Sequence, residues 1–171
     1  MAVKRPRPLA ESDDRASFDC GRPSLNAWFQ RNAWGNHVNG VSRVTVLADD
    51  TSCGRIVGFV TLSAAQIERA WMPKADQRNR PDPVPVTLLG QLAVDRQDQG
   101  LGHARSLLLF ALRTALQASG LIGSTGVITH PLDDSLRAFY RRWGFQDLPF
   151  DPRRAMIVRM VDLRASFSGA E

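Results

Sequence analysis

Gly100 and Gly102 stand one residue apart in "DRQDQGLGHA", between a strand-like apolar run and an apolar helix pattern. A glycine pair at such a corner can serve two ends. It permits positive φ where the chain turns tightly, or it bares the unpaired N–H groups of the next helix to an anion that the helix dipole also attracts. Side chains at 100 and 102 would hold a phosphate away from those donors. Two common phosphate motifs do not fit. A P-loop needs Lys and then Ser or Thr where His103 and Ala104 stand, and a dinucleotide fingerprint needs a small residue where Arg105 stands. Further on, Tyr140 is the only tyrosine in the chain. A phenol can give up a proton as a general acid, yet beside Phe139 it also reads as an ordinary helix aromatic. Arg137, Arg141 and Arg142 surround it, either as a solvated helix face or as a grip for phosphates. Arg78, Arg80 and the N-terminal Lys4, Arg5 and Arg7 extend the same field.

Other side chains carry less chemistry. His37, His103 and His130 have no metal-ligand spacing, nor do Cys20 and Cys53, so no metal site is expected. Trp28, Trp34, Trp71 and Trp143 read as core or interface residues. Lys and Arg outnumber Asp and Glu by 22 to 17, and all but two of those cations are Arg. That excess favours polyanionic partners, nucleic acid or a phosphorylated cofactor, without choosing between them. No apolar run is long enough to span a bilayer, "MAVKRPRPLAE" lacks the core of a signal peptide, and the isolated cysteines suit a reduced compartment; a cytoplasmic protein is expected.

The elements that must position these residues alternate along the chain. "SLNAWFQRNAW" places Leu25, Trp28, Phe29 and Ala33 on one helical face, with Ser24 as the expected N-cap. "SRVTVLA" and "RIVGFVTLSAA" read as strands joined by "DDTSCG". Residues 66–85, with four prolines, read as a long loop carrying at most a short helix. Val86–Val94 reads as a strand buried on both faces. The helix "HARSLLLFALRTALQAS" should stop at Gly120, and "STGVITH" is a short strand. "DDSLRAFYRRW" is a helix capped by Asp133 or Asp134, "AMIVRMVDL" a final strand, and about 165–171 a frayed end. With 171 residues and no linker or repeat, one mixed α/β domain is expected over 1–171.

Gln97-Asp98-Gln99-Gly100-Leu101-Gly102 resembles the Q/R-x-x-G-x-G/A signature of the GNAT N-acetyltransferases. "LLGQLAVD" is similar to the family's strand beside the pantetheine arm, and "SLRAFYRRWGF" to its helix ending in FYxxxGF. "FDCGRPSLNAWFQRNA" is similar to the opening of the acetyltransferase toxins of bacterial toxin–antitoxin pairs. The resemblance implies a GNAT fold, a mixed central sheet flanked by helices, using acetyl-CoA as donor. It implies cofactor contacts from Leu92, Ala93, Val94, Gln97, Gln99, Gly100, Leu101, Gly102, His103, Ala104 and Phe139, and Tyr140 as the general acid for the departing thiolate. For the subfamily it implies acetylation of the α-amino group of aminoacyl-tRNA, which blocks translation. The tRNA would be gripped by Arg78, Arg80, Arg137, Arg141 and Arg142, and the partners would be a second copy and a ribbon-helix-helix antitoxin. His130-Pro131 departs from the small residues and Asn or Asp that usually precede the tyrosine helix. Two rival readings stay open: an acetyltransferase for a small amine or a protein, and a catalytically silent DNA-binding co-repressor partner, which would not need Tyr140.

Overall fold

Alternating and near-continuous apolar runs separate the strands of this chain from its amphipathic helices, and a computed structural model shows where each begins. It describes residues 5–52 and 54–169; Lys4 and Cys53 lie outside the described residues. The order is β1 (Arg7–Pro8), α1 (Pro23–Val38), β2 (Arg43–Asp49), β3 (Arg55–Ile67), α2 (Lys74–Gln77), β4 (Val84–Val94), α3 (His103–Ser119), β5 (Gly126–Thr129), α4 (Asp134–Arg142), β6 (Gln146–Asp147), β7 (Met156–Arg159) and α5 (Met160–Ser168). Hydrogen-bonded strands follow the order β1-β2-β3-β4-β5-β7-β6. β4 and β5 pair in parallel at Thr87 and Leu88, with α3 as the crossover that a parallel pair requires. The pairs β1–β2, β2–β3, β5–β7 and β6–β7 are antiparallel. The mixed α/β sheet expected from the resemblance is what the chain forms.

Two compact units share these elements. The first runs through Ser63 and adds Leu89–Arg113; the second takes Ala64–Leu88 and the chain from Thr114 on. The first is built on Phe18, Phe29 and Phe59, with Phe29 stacked on Phe59 at 4.2 Å between centroids and Phe18 tilted against Phe29 at 4.9 Å. Trp28 stacks on the same cluster, 6.0 Å from Phe59, so it is a core-covering residue as expected. The second unit packs Ile67, Met72, Val84, Val86, Ile128, Leu148 and Ile157, with Trp71 against them.

The structure corrects local expectations at three places. Ser24 does not cap α1: Arg22 holds the cap position in extended backbone, and Pro23 opens the helix, where a missing N–H costs nothing. β4 begins earlier, at Val84, and is not buried on both faces, because Pro85 and Gly90 are exposed and Leu88, Gln91 and Leu92 are half-buried. The final strand ends at Arg159, and "MVDLRASFS" is helix α5, which buries Met160 and Leu163 and stays helical to Ser168 where fraying was expected. The edge strands β1 and β6, two residues each, carry no period to read.

Candidate active site

The glycine turn belongs to the first unit and is held from beneath by carboxylates. β4 ends at Val94, and Asp95 then caps a single 3-10 turn over Arg96–Asp98, its side chain accepting from the Gln97 N–H at 3.0 Å. Its other oxygen accepts from the Asp19 N–H at 3.0 Å, and the Arg96 N–H returns a bond to the Asp19 carbonyl at 2.9 Å. Asp98, only 3% exposed, receives two bonds from Arg55 at 2.8 and 3.2 Å. Above these supports Gly100 and Gly102 have φ of +78° and +84°. A Cβ at either position would meet nothing within 4 Å. Both glycines are therefore required by backbone conformation, and the space a side chain would fill is open. The Ser106 N–H bonds the Gly102 carbonyl at 3.1 Å, so α3 begins directly at the second glycine. No carboxylate stands in its first turn.

The named turn residues divide by role. Leu101 is exposed, Ala104 half-buried, and Gln97 is exposed while its backbone serves Asp95. His103 keeps Nε2 enclosed and without a hydrogen-bond partner. The side-chain nitrogen of Gln99 donates to the Val94 carbonyl at 3.0 Å and the Cys20 carbonyl at 3.2 Å, bracing the turn. In β4, Ala93 and Val94 are buried and Leu92 half-buried.

The tyrosine belongs to the second unit. Asp133 caps α4 by accepting from the Leu136 N–H at 2.9 Å, which settles the choice against Asp134. Two turns on, Tyr140 is 4% exposed. Phe139 and Phe145 pack edge-on against its ring, each 5.2 Å between centroids. Burial pushes the phenol up to about 12, opposed by a hydrogen bond from Thr129 that favours the phenolate. Thr129 is itself buried, at the end of β5. His130, the next residue, is held below its ordinary range by burial first and by the charge of Arg153 second.

The arginines are not one surface. Arg137 is 7% exposed and donates to Asp147 and, at 2.8 Å, to the Arg154 carbonyl. It ties α4 to the chain beyond β6, so of the two readings the solvated helix face is corrected for Arg137. Arg141 shares Asp147 at 3.1 Å. Arg142, Arg78 and Arg80 are exposed, and none makes an ion pair among the described residues. Sequence reading missed Thr129, whose pairing is tertiary. It also missed the Asp95 cap, which an Asp directly after a strand and before a turn could have signalled. Among the described residues no helix is long and apolar enough to cross a membrane, and no three His, Cys, Asp or Glu side chains cluster as metal ligands do.

Comparison with known proteins agrees with this arrangement. A family model described as an acetyltransferase (GNAT) domain matches residues 40–147. A tRNA-acetylating toxin of Mycobacterium tuberculosis (strain ATCC 25618 / H37Rv) is 42% identical over 160 residues, 94% of each chain. The structure of AtaT complexed with acetyl-methionyl-tRNAfMet superposes with a TM-score of 0.90 at 28% identity, covering 97% of this chain and 99% of that one. A tyrosine-to-phenylalanine mutant of AtaT, bound to the C-terminus of the antitoxin AtaR and acetyl-CoA, gives 0.81 at 26% identity, covering 95% and 96%. With a family model over most of its length and a relative of this likeness, the chain belongs to the GNAT family of acetyltransferases.

Proposed function

We propose that this protein is the toxin of a toxin–antitoxin pair, transferring acetyl from acetyl-CoA to the α-amino group of aminoacyl-tRNA and so blocking translation. The chain is read as one acetyltransferase domain over 1–171. The likeness to a tRNA-acetylating toxin along 94% of the chain supports the substrate. The observation that carries the chemistry is the buried, protonated phenol of Tyr140.

The turn fits the donor. Its glycines leave open space, its helix start has no competing carboxylate, and His103 holds an enclosed nitrogen lacking a partner. Gly100, Leu101, Gly102, His103 and Ala104 would hold the pyrophosphate, and Leu92, Ala93 and Val94 the pantetheine arm. Acetyl-CoA supplies a thioester-activated acetyl group. Backbone N–H groups around Leu92–Val94 would stabilise negative charge on the acyl oxygen. Tyr140 would give its proton to the departing thiolate, Thr129 steadying the phenolate left behind. The attacking amine needs no strong base, because an α-amino group titrates near about 8 against about 10.4 for lysine, and an appreciable fraction is already neutral at pH 7.

A ribbon-helix-helix antitoxin and a second copy of the chain are the proposed partners, and a tRNA substrate puts the action in the cytoplasm. A small ribbon-helix-helix reading frame beside this one, and a dimer mass by light scattering, would support them. The deciding assay offers labelled acetyl-CoA with charged tRNA, uncharged tRNA, free amines and protein. Labelling of charged tRNA alone is expected. Labelling of amines or protein lysines with charged tRNA untouched would move the assignment to a small-amine or protein acetyltransferase, and no transfer at all would leave the silent co-repressor partner.

A further inference from the structure

The turn between β6 and β7 carries three outward side chains that the acetyl transfer does not use: Phe150, Arg153 and Arg154. Phe150 is 52% exposed. Both arginines are exposed, and neither makes an ion pair among the described residues. The inward groups of the same turn are closely bonded. Asp151 is buried, and its carboxylate accepts from the Arg153 and Ala155 N–H groups, both at 2.9 Å. The Leu148 N–H bonds the Ala155 carbonyl at 2.9 Å, and the Arg154 N–H bonds the Asp151 carbonyl at 3.0 Å. Two outside anchors finish the frame: the Phe150 N–H donates to the Trp71 carbonyl at 3.3 Å, and Arg137 donates to the Arg154 carbonyl at 2.8 Å. Arg154 is held at φ +55°, a conformation an ordinary residue keeps only when its surroundings impose it.

The one carboxylate of this turn is thus turned inward, while an aromatic ring and two cations are presented outward on a fixed frame. That combination, a ring for a base and guanidinium groups for the backbone, is what holds unpaired nucleic acid. The turn also lies near the chemistry. Arg153 acts electrostatically on His130, whose neighbour Thr129 bonds the Tyr140 phenol.

We infer that the Leu148–Ala155 turn docks the unpaired 3′ end of the tRNA acceptor, with Phe150 stacking on a terminal base and Arg153 and Arg154 holding its phosphates. This rests on the aminoacyl-tRNA reading. Arg137 then acts as a positioning residue, fixing the platform from behind.

The test uses the full chain with Phe150→Leu, which keeps apolar packing without a stacking face, Phe150→Tyr, which keeps the ring, and the double change Arg153→Ala with Arg154→Ala. Two readouts are taken: kinetics on charged tRNA, and quenching of 2-aminopurine placed as the 3′-terminal base of an acceptor-stem RNA. Phe150→Leu should raise KM for charged tRNA about 10-fold and abolish quenching, while Phe150→Tyr restores both. The arginine pair should weaken binding and flatten its salt dependence. Acetyl-CoA affinity, measured by calorimetry, should stay unchanged throughout. Wild-type KM and quenching in Phe150→Leu would overturn the inference, as would an equal loss of affinity for a blunt acceptor helix with no 3′ overhang. Wild-type protein that quenches through Phe150 yet leaves charged tRNA unacetylated would overturn the proposed function and leave the RNA-end platform standing.

Discussion

Tyr140 and Thr129 hydrogen-bond within the second unit, the first 4% and the second 3% exposed. A phenol so enclosed is hard to ionise, and burial pushes it up to about 12. It stays a proton donor throughout the neutral range.

Replacing Tyr140 with Phe should therefore lower kcat by about 10²-fold, the loss that follows removal of a general acid, while acetyl-CoA still binds. Initial rates and calorimetry on one preparation separate the two effects. The wild-type alkaline limb carries a second check. A donor titrating near 12 gives no fall in kcat up to about pH 10, so a decline centred near pH 8 or 9 would point to another acid.

Gly102→Val puts a β-branched residue at φ +84°, a conformation costing about 1 to 2 kcal/mol for such side chains. Because a Cβ there meets no protein atom within 4 Å, the fold should survive with Tm lowered by about 2 to 8 °C. Acetyl-CoA affinity should fall at least about 10-fold, as the new side chain stands off the phosphates. Unchanged affinity in a folded variant would remove the turn from the site.

The arginines of α4 should separate by readout. Arg137→Ala strips Asp147 and the Arg154 carbonyl of a charged donor and should cost about 1.5 to 3 kcal/mol of stability in denaturant titration. Arg142→Ala should leave stability unchanged and reduce the salt slope of tRNA binding by roughly 0.7 to 0.9 for each phosphate that Arg142 neutralises. A changed salt slope in Arg137→Ala with stability unchanged would return Arg137 to the binding surface.

His37 makes the fold acid-sensitive. Its Nδ1 accepts the Val44 N–H at 3.0 Å, which only an imidazole unprotonated there can do. Burial first and Arg43 second hold it below its ordinary value. The unfolded chain then takes up the proton first as pH falls through about 6.5, and folded stability declines below that point. His130 shifts in the same direction. Tm should drop between pH 7.5 and 5.5, and drop less in His37→Asn, whose amide oxygen can accept the same N–H without titrating.

How much the residues disclose in advance depends on the range of the forces involved. The glycine turn, the Gly120 stop and the Asp133 cap are local chemistry, readable within a few positions. Ser24 misleads because a good capping side chain says nothing of the proline before it, whose ring already starts the helix. "AMIVRMVDL" is apolar enough for strand or helix, and the choice between them falls at Arg159 through sheet pairing with Gly126. Arg137 reads as solvated because its charge is costly to bury; the partner that makes burial tolerable lies ten positions on, in a strand too short to recognise.

The bonds between the opening segment and the glycine turn also set an order of events in time. Asp19 meets Asp95 across 76 positions, and Cys20 meets Gln99 across 79. Closures of that span are slow to find and cannot precede synthesis of the later partner. The glycine turn is thus not finished by local folding of its own stretch, and it waits on the opening segment. A chain in which the two distant stretches have not met lacks the bonds that hold Asp95 and Gln99 in place beneath the glycines.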